Sequence, residues 1–406
     1  MNKIEFVRGQ GGVVKALAGE DHISGFLMYL REAGYPLATE GMEGFSEINP
    51  MMAISTIERA ESLGITAAAT DWEILALHYH LSEVFRVNPG VSLYVGLFRL
   101  DGEAAYDFSE VKRLQNYGEG RLRQMAVYAP GRTLNPVDLT ALQGVADTLE
   151  QQDIPLSLFY GCKIEEVRSL PQVSGSNKKN VSVVIGQAGD GRGAALFTDS
   201  RNMVNPEGMG ARKYSVTCLG TVLGIVSKAA VHESIAWVQK FPTGIDMAAF
   251  ADGTLFRNLD RAEVDSLDQK RYVFAMTYSG LAGTYLNDSH TLDDPKSDYA
   301  YIEAVRTMDK AVRGIRTYVL PYLGSPLQLD PETGKLKPEV AAYLEVLAGR
   351  QLEDMERAGE LSGYDVKVDP DQNVLVTSKV VFTIRKVQVG VMRTVSVNIG
   401  FTTKLD

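Results

Sequence analysis

The chain is poor in the residues that most often do chemistry. It has two cysteines in 406 residues, Cys162 and Cys218. Two thiols cannot build a disulfide framework, and free cysteine is usually a buried apolar side chain, so both read as core thiols in a reducing compartment. Histidine is scarce and scattered, at five residues. His78 and His80 are two apart in a helix-like stretch and so face different ways; His232-Glu233 has no second histidine at metalloprotease spacing. There is no G-x-S-x-G elbow. There is no phosphate loop either, because Gly334-Lys335 is followed by Leu336 and no glycine lies five residues before Gly334. Asp369, Asp371 and Asn373 imitate the start of a calcium loop, but Val374 stands where that turn needs glycine and Val380 where it needs a bidentate glutamate. Positive charge is in deficit: 41 Lys and Arg against 51 Asp and Glu give a formal net charge of −10, with no basic run. That argues against nucleic acid as a partner. Long apolar runs are missing too. The most apolar window, 216–231, is broken by Ser227 and Lys228 and is too short to span a bilayer. The first ten residues lack the apolar core of a signal peptide. The expectation is a soluble protein assembled where it is made, without direct membrane insertion, cofactor or metal, and not an enzyme.

What the chain does have is a strongly patterned C-terminal run. From Tyr299, the residues Ile302, Val305, Met308, Val312, Ile315 and Val319 step by three and four, one face of a helix that Pro321 stops. Arg306, Lys310 and Arg313 form a basic stripe on another face. Pro338 opens a second helix to about residue 358, with Val340, Leu344, Leu347 and Met355 on one side and Glu345, Glu353, Asp354 and Glu356 on the other. Strands follow over 364–368 and 374–384. Finally, Val395, Val397, Ile399 and Phe401 alternate with Thr394, Ser396, Asn398, Gly400 and Thr402, a period of two. Such a strand needs partners for its backbone groups, in its own sheet or in a neighbour's.

Upstream, residues 1–20 read as an arm in which Ile4 and Phe6 alternate with charged neighbours. Residues 21–90 read as mainly helical, over 23–31, 51–63 and 72–87. Strands at 91–98, 124–128, 155–160 and 181–185 then alternate with helices at 109–121, 137–151 and 217–238, and further strands fall at 271–277 and 283–286. Apolar strands separated by helices predict a mostly parallel sheet covered on both faces. The fold class is mixed α/β, with an arm over 1–20, an α/β region over 21–290 and a C-terminal domain over 291–406. One stretch offers a different function. In 186–194, Gly189, Gly191 and Ala194 fit G-x-G-x-x-A after a strand, the pattern of a dinucleotide-binding turn. The following residues are interrupted by Asp199 and Pro206, so no full crossover helix is expected. A nucleotide-binding or dehydrogenase-like enzyme is the alternative reading.

Several segments, taken in order, carry a family likeness: Arg271-Tyr272-Val273-Phe274, Gly283-Thr284-Tyr285, Tyr301-Ile302-Glu303-Ala304-Val305-Arg306, Met308-Asp309-Lys310-Ala311-Val312-Arg313, Gly363-Tyr364-Asp365-Val366 and the strand over 395–401. Over roughly 271–406 the chain resembles contractile tail sheath proteins of bacteriophages and related injection machines, most nearly the sheath-like proteins of Mu-like and Bacteroidetes prophages. It opens on Ile4-Glu5-Phe6, where many sheath proteins have a Pro-Gly-Val-Tyr type arm. The resemblance implies a structural subunit that stacks as six-fold rings around an inner tail tube protein, between baseplate and tail terminator proteins. It implies terminal arms that add strands to neighbouring subunits, here Ile4, Phe6, Val395, Val397, Ile399 and Phe401. It further implies charged helix faces turned to the tube, for which Arg306, Lys310 and Arg313 are the candidates. The location implied is a virion tail or an injection apparatus assembled in the bacterial host cytoplasm.

Overall fold

The computed structural model describes residues 20–100, 105–175, 177–204 and 211–401. Its centre is strand β1, Ser24–Leu30, all seven residues of which are buried. This corrects the helix expected over 23–31. Gly25-Phe26-Leu27-Met28-Tyr29-Leu30 is apolar at every position, and an unbroken apolar run has no period by which a strand covered on both faces differs from a buried helix. β1 pairs in parallel with β3 (Leu93–Arg99) on one side and β4 (Gln124–Thr133) on the other. The sheet order is β2-β3-β1-β4-β5-β6, where β2 is Met51–Ile54, β5 Ser157–Lys163 and β6 Val181–Val183. β2 runs antiparallel at the edge; the other five strands are parallel. The expected helix over 51–63 is thus β2 followed by a short helix α1, Ile57–Ser62, which Thr56 caps through Arg59 N–H.

Two layers of helix cover the sheet. Phe26, Met28 and Leu30 share one apolar cluster with Leu77, Leu81 and Leu223, from α2 (Trp72–Val87) and α6 (Leu219–Lys228). Leu27 and Tyr29 point the other way, into a cluster with Leu114 of α3 (Glu110–Tyr117) and Leu142 of α4 (Pro136–Gln151). The winding direction therefore reverses between β1 and β4, as in a doubly wound sheet. Beyond β6 come a small long-range pair, β7 (Gly186–Ala188) antiparallel to β8 (Ala248–Phe250), helix α5 (Gly191–Thr198), helix α7 (Arg261–Gln269), and the two-residue strands β9 (Ala275–Met276) and β10 (Tyr285–Leu286). α6 ends ten residues earlier than the helix expected to 238, for a tertiary reason given below.

The C-terminal unit contains α8 (Ile302–Val319), α9 (Pro338–Arg357) and an antiparallel pair, β11 (Leu361–Val368) and β12 (Phe382–Gln388). A short helix α10, Val374–Thr377, replaces the first part of the strand expected over 374–384. α8 is about 27 Å long at 1.5 Å per residue. Its first two turns are enclosed, with Ile302 in the main core, while Ala311 and Ile315 belong to a separate small cluster with Leu352 and Met355. α8 is therefore the shaft that joins the sheet domain to the C-terminal unit. It crosses α9 closely at Gly314, where a Cβ would run into the side chain of Gln351.

Candidate assembly surface

The basic stripe of α8 faces inward. The resemblance implies a face turned to a tube; within this chain the stripe packs against the sheet domain and the segment after α6. Arg306 is 4% exposed, and its guanidinium donates to the carbonyls of Ala229 at 3.1 Å and Ala230 at 3.3 Å. Thr307 donates to Val231 O at 3.3 Å. These carbonyls follow the last turn of α6, whose C-terminal C=O groups lack helical partners and carry the negative end of the dipole. At Ala229, α8 supplies the donor that a further turn of α6 would otherwise supply, while Ala230 O also accepts from Glu233 N–H at 3.0 Å. Burial holds the Arg306 guanidinium below its ordinary pKa.

Lys310 and Arg313 continue the stripe along the joint between α8 and the sheet domain. Lys310 Nζ lies 2.8 Å from Asp21 and 2.6 Å from Glu360, and Arg313 lies 3.3 Å from Asp21. Arg316 reaches Asp153 at 2.9 Å. Burial pushes the Asp21 carboxyl up, and Lys310, Arg313 and Arg306 together more than reverse this, leaving it below the usual carboxylate range. Arg313 is brought down to about 10, chiefly by burial and then by Arg123. Asp309, on the same helix, is pushed up to about 7 by burial, with Arg313 opposing and Glu150 adding to the rise. The joint is ionic, whereas the interiors on either side of it are apolar and separate.

The C-terminal arm is the opposite case. Beyond β12 the described chain has no helix or strand, and Val395, Val397, Ile399 and Phe401 are all exposed. Among the described residues they form no ladder, so the strand expected over 395–401 is a patterned but unpaired segment in this chain. Among the described residues, β11 and β12 pair only with each other. A two-stranded sheet is marginal alone and leaves two edges open to further strands. Ile4 and Phe6, the other arm candidates, lie outside the described residues.

The arm is tied to the body by a residue that sequence reasoning missed. Arg393 bonds both carboxylate oxygens of Asp288 at 3.1 Å and Ser289 Oγ at 3.2 Å, and it pairs with Glu303. Its guanidinium carbon sits 3.4 Å from the ring centroid of Tyr301. Nothing in the local pattern around Arg393 marks it, because all of its partners lie 90 or more residues upstream.

The glycine loop at 186–194 has a packing role. A Cβ on Gly186 would collide with the backbone of Phe274 and Ala275, one on Gly189 with Leu255, and one on Gly193 with Ala188 and Tyr79. β7 is antiparallel to β8 and outside the doubly wound sheet, so the loop is not the turn at which such sheets take a pyrophosphate. At the true reversal point, the end of β1, three backbone N–H groups converge. They are already filled: Glu73, at the start of α2, accepts from Arg31, Glu32 and Ala33 at 2.7, 2.9 and 2.6 Å. His78 and His80 do part company as their spacing requires. His78 lies between Glu61 and Arg192, whereas His80 is buried against Phe26 and Tyr128 and is held down to about 3 by burial.

This mixed α/β architecture is the fold of contractile sheath proteins. Over 98% of this chain and 100% of that chain, the structure matches the helical sheath of the anti-feeding prophage in its contracted state, at 14% identity and a TM-score of 0.59. The sheath complex of the extracellular contractile injection system PVC, also contracted, matches at 11% identity and a TM-score of 0.60, covering 100% of this chain and 98% of that one. The sheath tail protein of Desulfitobacterium hafniense matches at 8% identity and 0.53, covering 96% and 100%. No curated protein matches the sequence. The chain belongs to the DUF2586 family: residues 166–290 match the DUF2586 N-terminal domain and residues 298–406 the DUF2586 C-terminal domain, together more than half of the chain.

Proposed function

We propose that this chain is the repeating subunit of a contractile sheath, polymerising with copies of itself around an inner tube and shortening to drive that tube through an envelope. The observation that carries the reading is the arm. Residues 394–401 leave the body with four alternating apolar side chains exposed, and among the described residues the edges of the β11–β12 pair are unfilled. A strand donated from one copy to the sheet of the next satisfies both, by main-chain hydrogen bonds and burial of one apolar face. The anti-feeding prophage baseplate, whose six-fold symmetrised structure has a chain matching this one at a TM-score of 0.60, supports rings of six subunits and a baseplate partner. The work of contraction would come from the difference between two packings of rigid units, so it requires no catalytic residue. The place of action is a contractile tail or injection apparatus. The nucleotide-binding alternative loses its support, since the glycine loop is used for packing and Glu73 fills the N–H nest.

The test is deletion of residues 394–406 from the otherwise complete chain. Expected is a folded, soluble subunit that no longer forms tubes in the electron microscope. Tubes of unchanged length would overturn the strand-exchange reading. An unfolded product would assign the segment to the subunit's own core.

A further inference from the structure

Arg393 sits in a socket built before it arrives. Tyr301 is the N-cap of α8, and the guanidinium of Arg271 also lies over its ring, 5.1 Å from the centroid. Arg271 is 3% exposed and bonds Thr291 O at 2.7 Å and also Ala300 O, which fixes the loop leading into α8. His290 stacks on Tyr301, with 6.1 Å between centroids, and bonds Asp268 at 2.9 Å. Ser289, fully buried, donates to Glu303 at 2.6 Å and so aims that carboxylate. The result is two carboxylates and an aromatic face held by buried groups, a combination that fits a planar guanidinium better than an ammonium. A surface ion pair by itself is weak; this one is stacked, shares its Nε–H between both oxygens of Asp288 and turns a terminal nitrogen to a buried glutamate.

From this geometry we infer that the socket of Asp288, Ser289, Tyr301 and Glu303 is the fixed root of the C-terminal arm, locking the chain at Arg393 so that only the residues beyond it are free to exchange between copies. The root lies at the N-terminal end of α8. Tension on a donated strand therefore enters the sheet domain at Tyr301 and Glu303 and bypasses the marginal β11–β12 pair. Without the socket, a pull on the arm would load β12 directly and strip it from β11. The load-bearing part of this inference rests on the strand-exchange reading; the locking of the root in the free subunit does not.

The experiment uses the complete chain with a nitroxide at Thr394→Cys, since Cys162 and Cys218 are buried and spared by the label. A control label goes at the exposed Lys379→Cys. In the free subunit, Arg393→Gln, and separately Asp288→Asn with Glu303→Gln, should shorten the rotational correlation time at 394 several-fold and leave that at 379 unchanged. An unchanged spectrum at 394 overturns the root, and a change at both positions assigns Arg393 to general packing instead. Assembly supplies the second arm. Arg393→Gln keeps the apolar strand, so it should form tubes that come apart at lower urea than the parent's. Tubes of equal resistance overturn the load-bearing role even where the spectra support the lock. Failure of the strand-exchange reading would show separately, as tube formation by the 394–406 deletion.

Discussion

The guanidinium of Arg306 closes the C-terminal end of α6, donating to Ala229 O at 3.1 Å from the start of the second turn of α8. One side chain thus ends one helix and fixes the origin of another. Arg306→Met keeps much of the apolar stem but leaves the buried Ala229 carbonyl without its donor, while Ala230 O keeps the Glu233 N–H, and the expected cost is about 1–3 kcal/mol. Urea unfolding of the free subunit measures it. A tube-facing arginine would change assembly and leave the subunit's unfolding midpoint where it was.

A second expectation concerns the crossing of α8 and α9. Gly314 is a helix-interior glycine, a position where alanine is ordinarily better by about 1 kcal/mol. Here its hydrogen faces the buried side chain of Gln351. Gly314→Ala should therefore destabilise by about 1–3 kcal/mol, the usual penalty of overpacking, in spite of the better helix propensity. Adding Gln351→Ala should recover the loss. If Gly314→Ala alone raises the melting temperature, the crossing is looser than the geometry indicates.

These two residues show how far the sequence could be read. The parallel α/β sheet, α2, α4, α8, α9 and the β11–β12 pairing follow from periodicity and from Pro or Asn at helix starts, which are local signals. β1 was invisible as a strand because it is apolar at every position. Arg306 and Lys310 read only as a charged helix face, because a stripe of cations carries no information about what packs on it; their partners Ala229, Asp21 and Glu360 are 50 to nearly 300 residues away. The exposed face of α8 instead includes Val312, which the helical pattern assigns to the interior. Function was carried by the order of several weak motifs, and the anchor at Arg393 by none of them.

Glu73 offers a direct check on what fills the backbone N–H groups at the end of β1. It is 2% exposed and accepts three backbone N–H groups at the end of β1. Burial raises its pKa in spite of those donors. Glu73→Ala should cost about 2–3 kcal/mol by leaving the nest unfilled. It should also create an anion site: inorganic phosphate is expected to raise the melting temperature of the variant and not of the parent. Equal response to phosphate in both proteins would show that the nest is not what Glu73 occupies.

The last expectation concerns pH and the ionic joint. Asp309 is surrounded by Arg313 on its own helix, Glu150 of α4, Lys179, Arg123 and Lys386 of β12. Burial raises its carboxyl to about 7. In the unfolded chain the same group ionises near ~4, so between those values the folded state holds a proton that the unfolded state has lost. Stability must then fall as pH rises from about 4 to about 7, and level off above. Asp21 acts in the other sense. Its depressed carboxyl contributes above its ordinary value and loses that contribution as pH drops below about 4. The joint between α8 and the sheet domain is accordingly tightest in mild acid and loosened at neutral pH by an ionised Asp309. Asp309→Asn should remove the decline between pH 5 and 7 and stabilise the subunit at pH 8 on the order of 2 kcal/mol, allowing for screening of a side chain that is not wholly enclosed. Urea midpoints at pH 5, 6, 7 and 8 decide it: parallel curves for parent and variant would remove Asp309 as the source of the slope. In assembled tubes the same substitution should shift the pH at which sheaths dissociate, because a domain joint held by ion pairs is the part of this fold most open to rearrangement when its charges change.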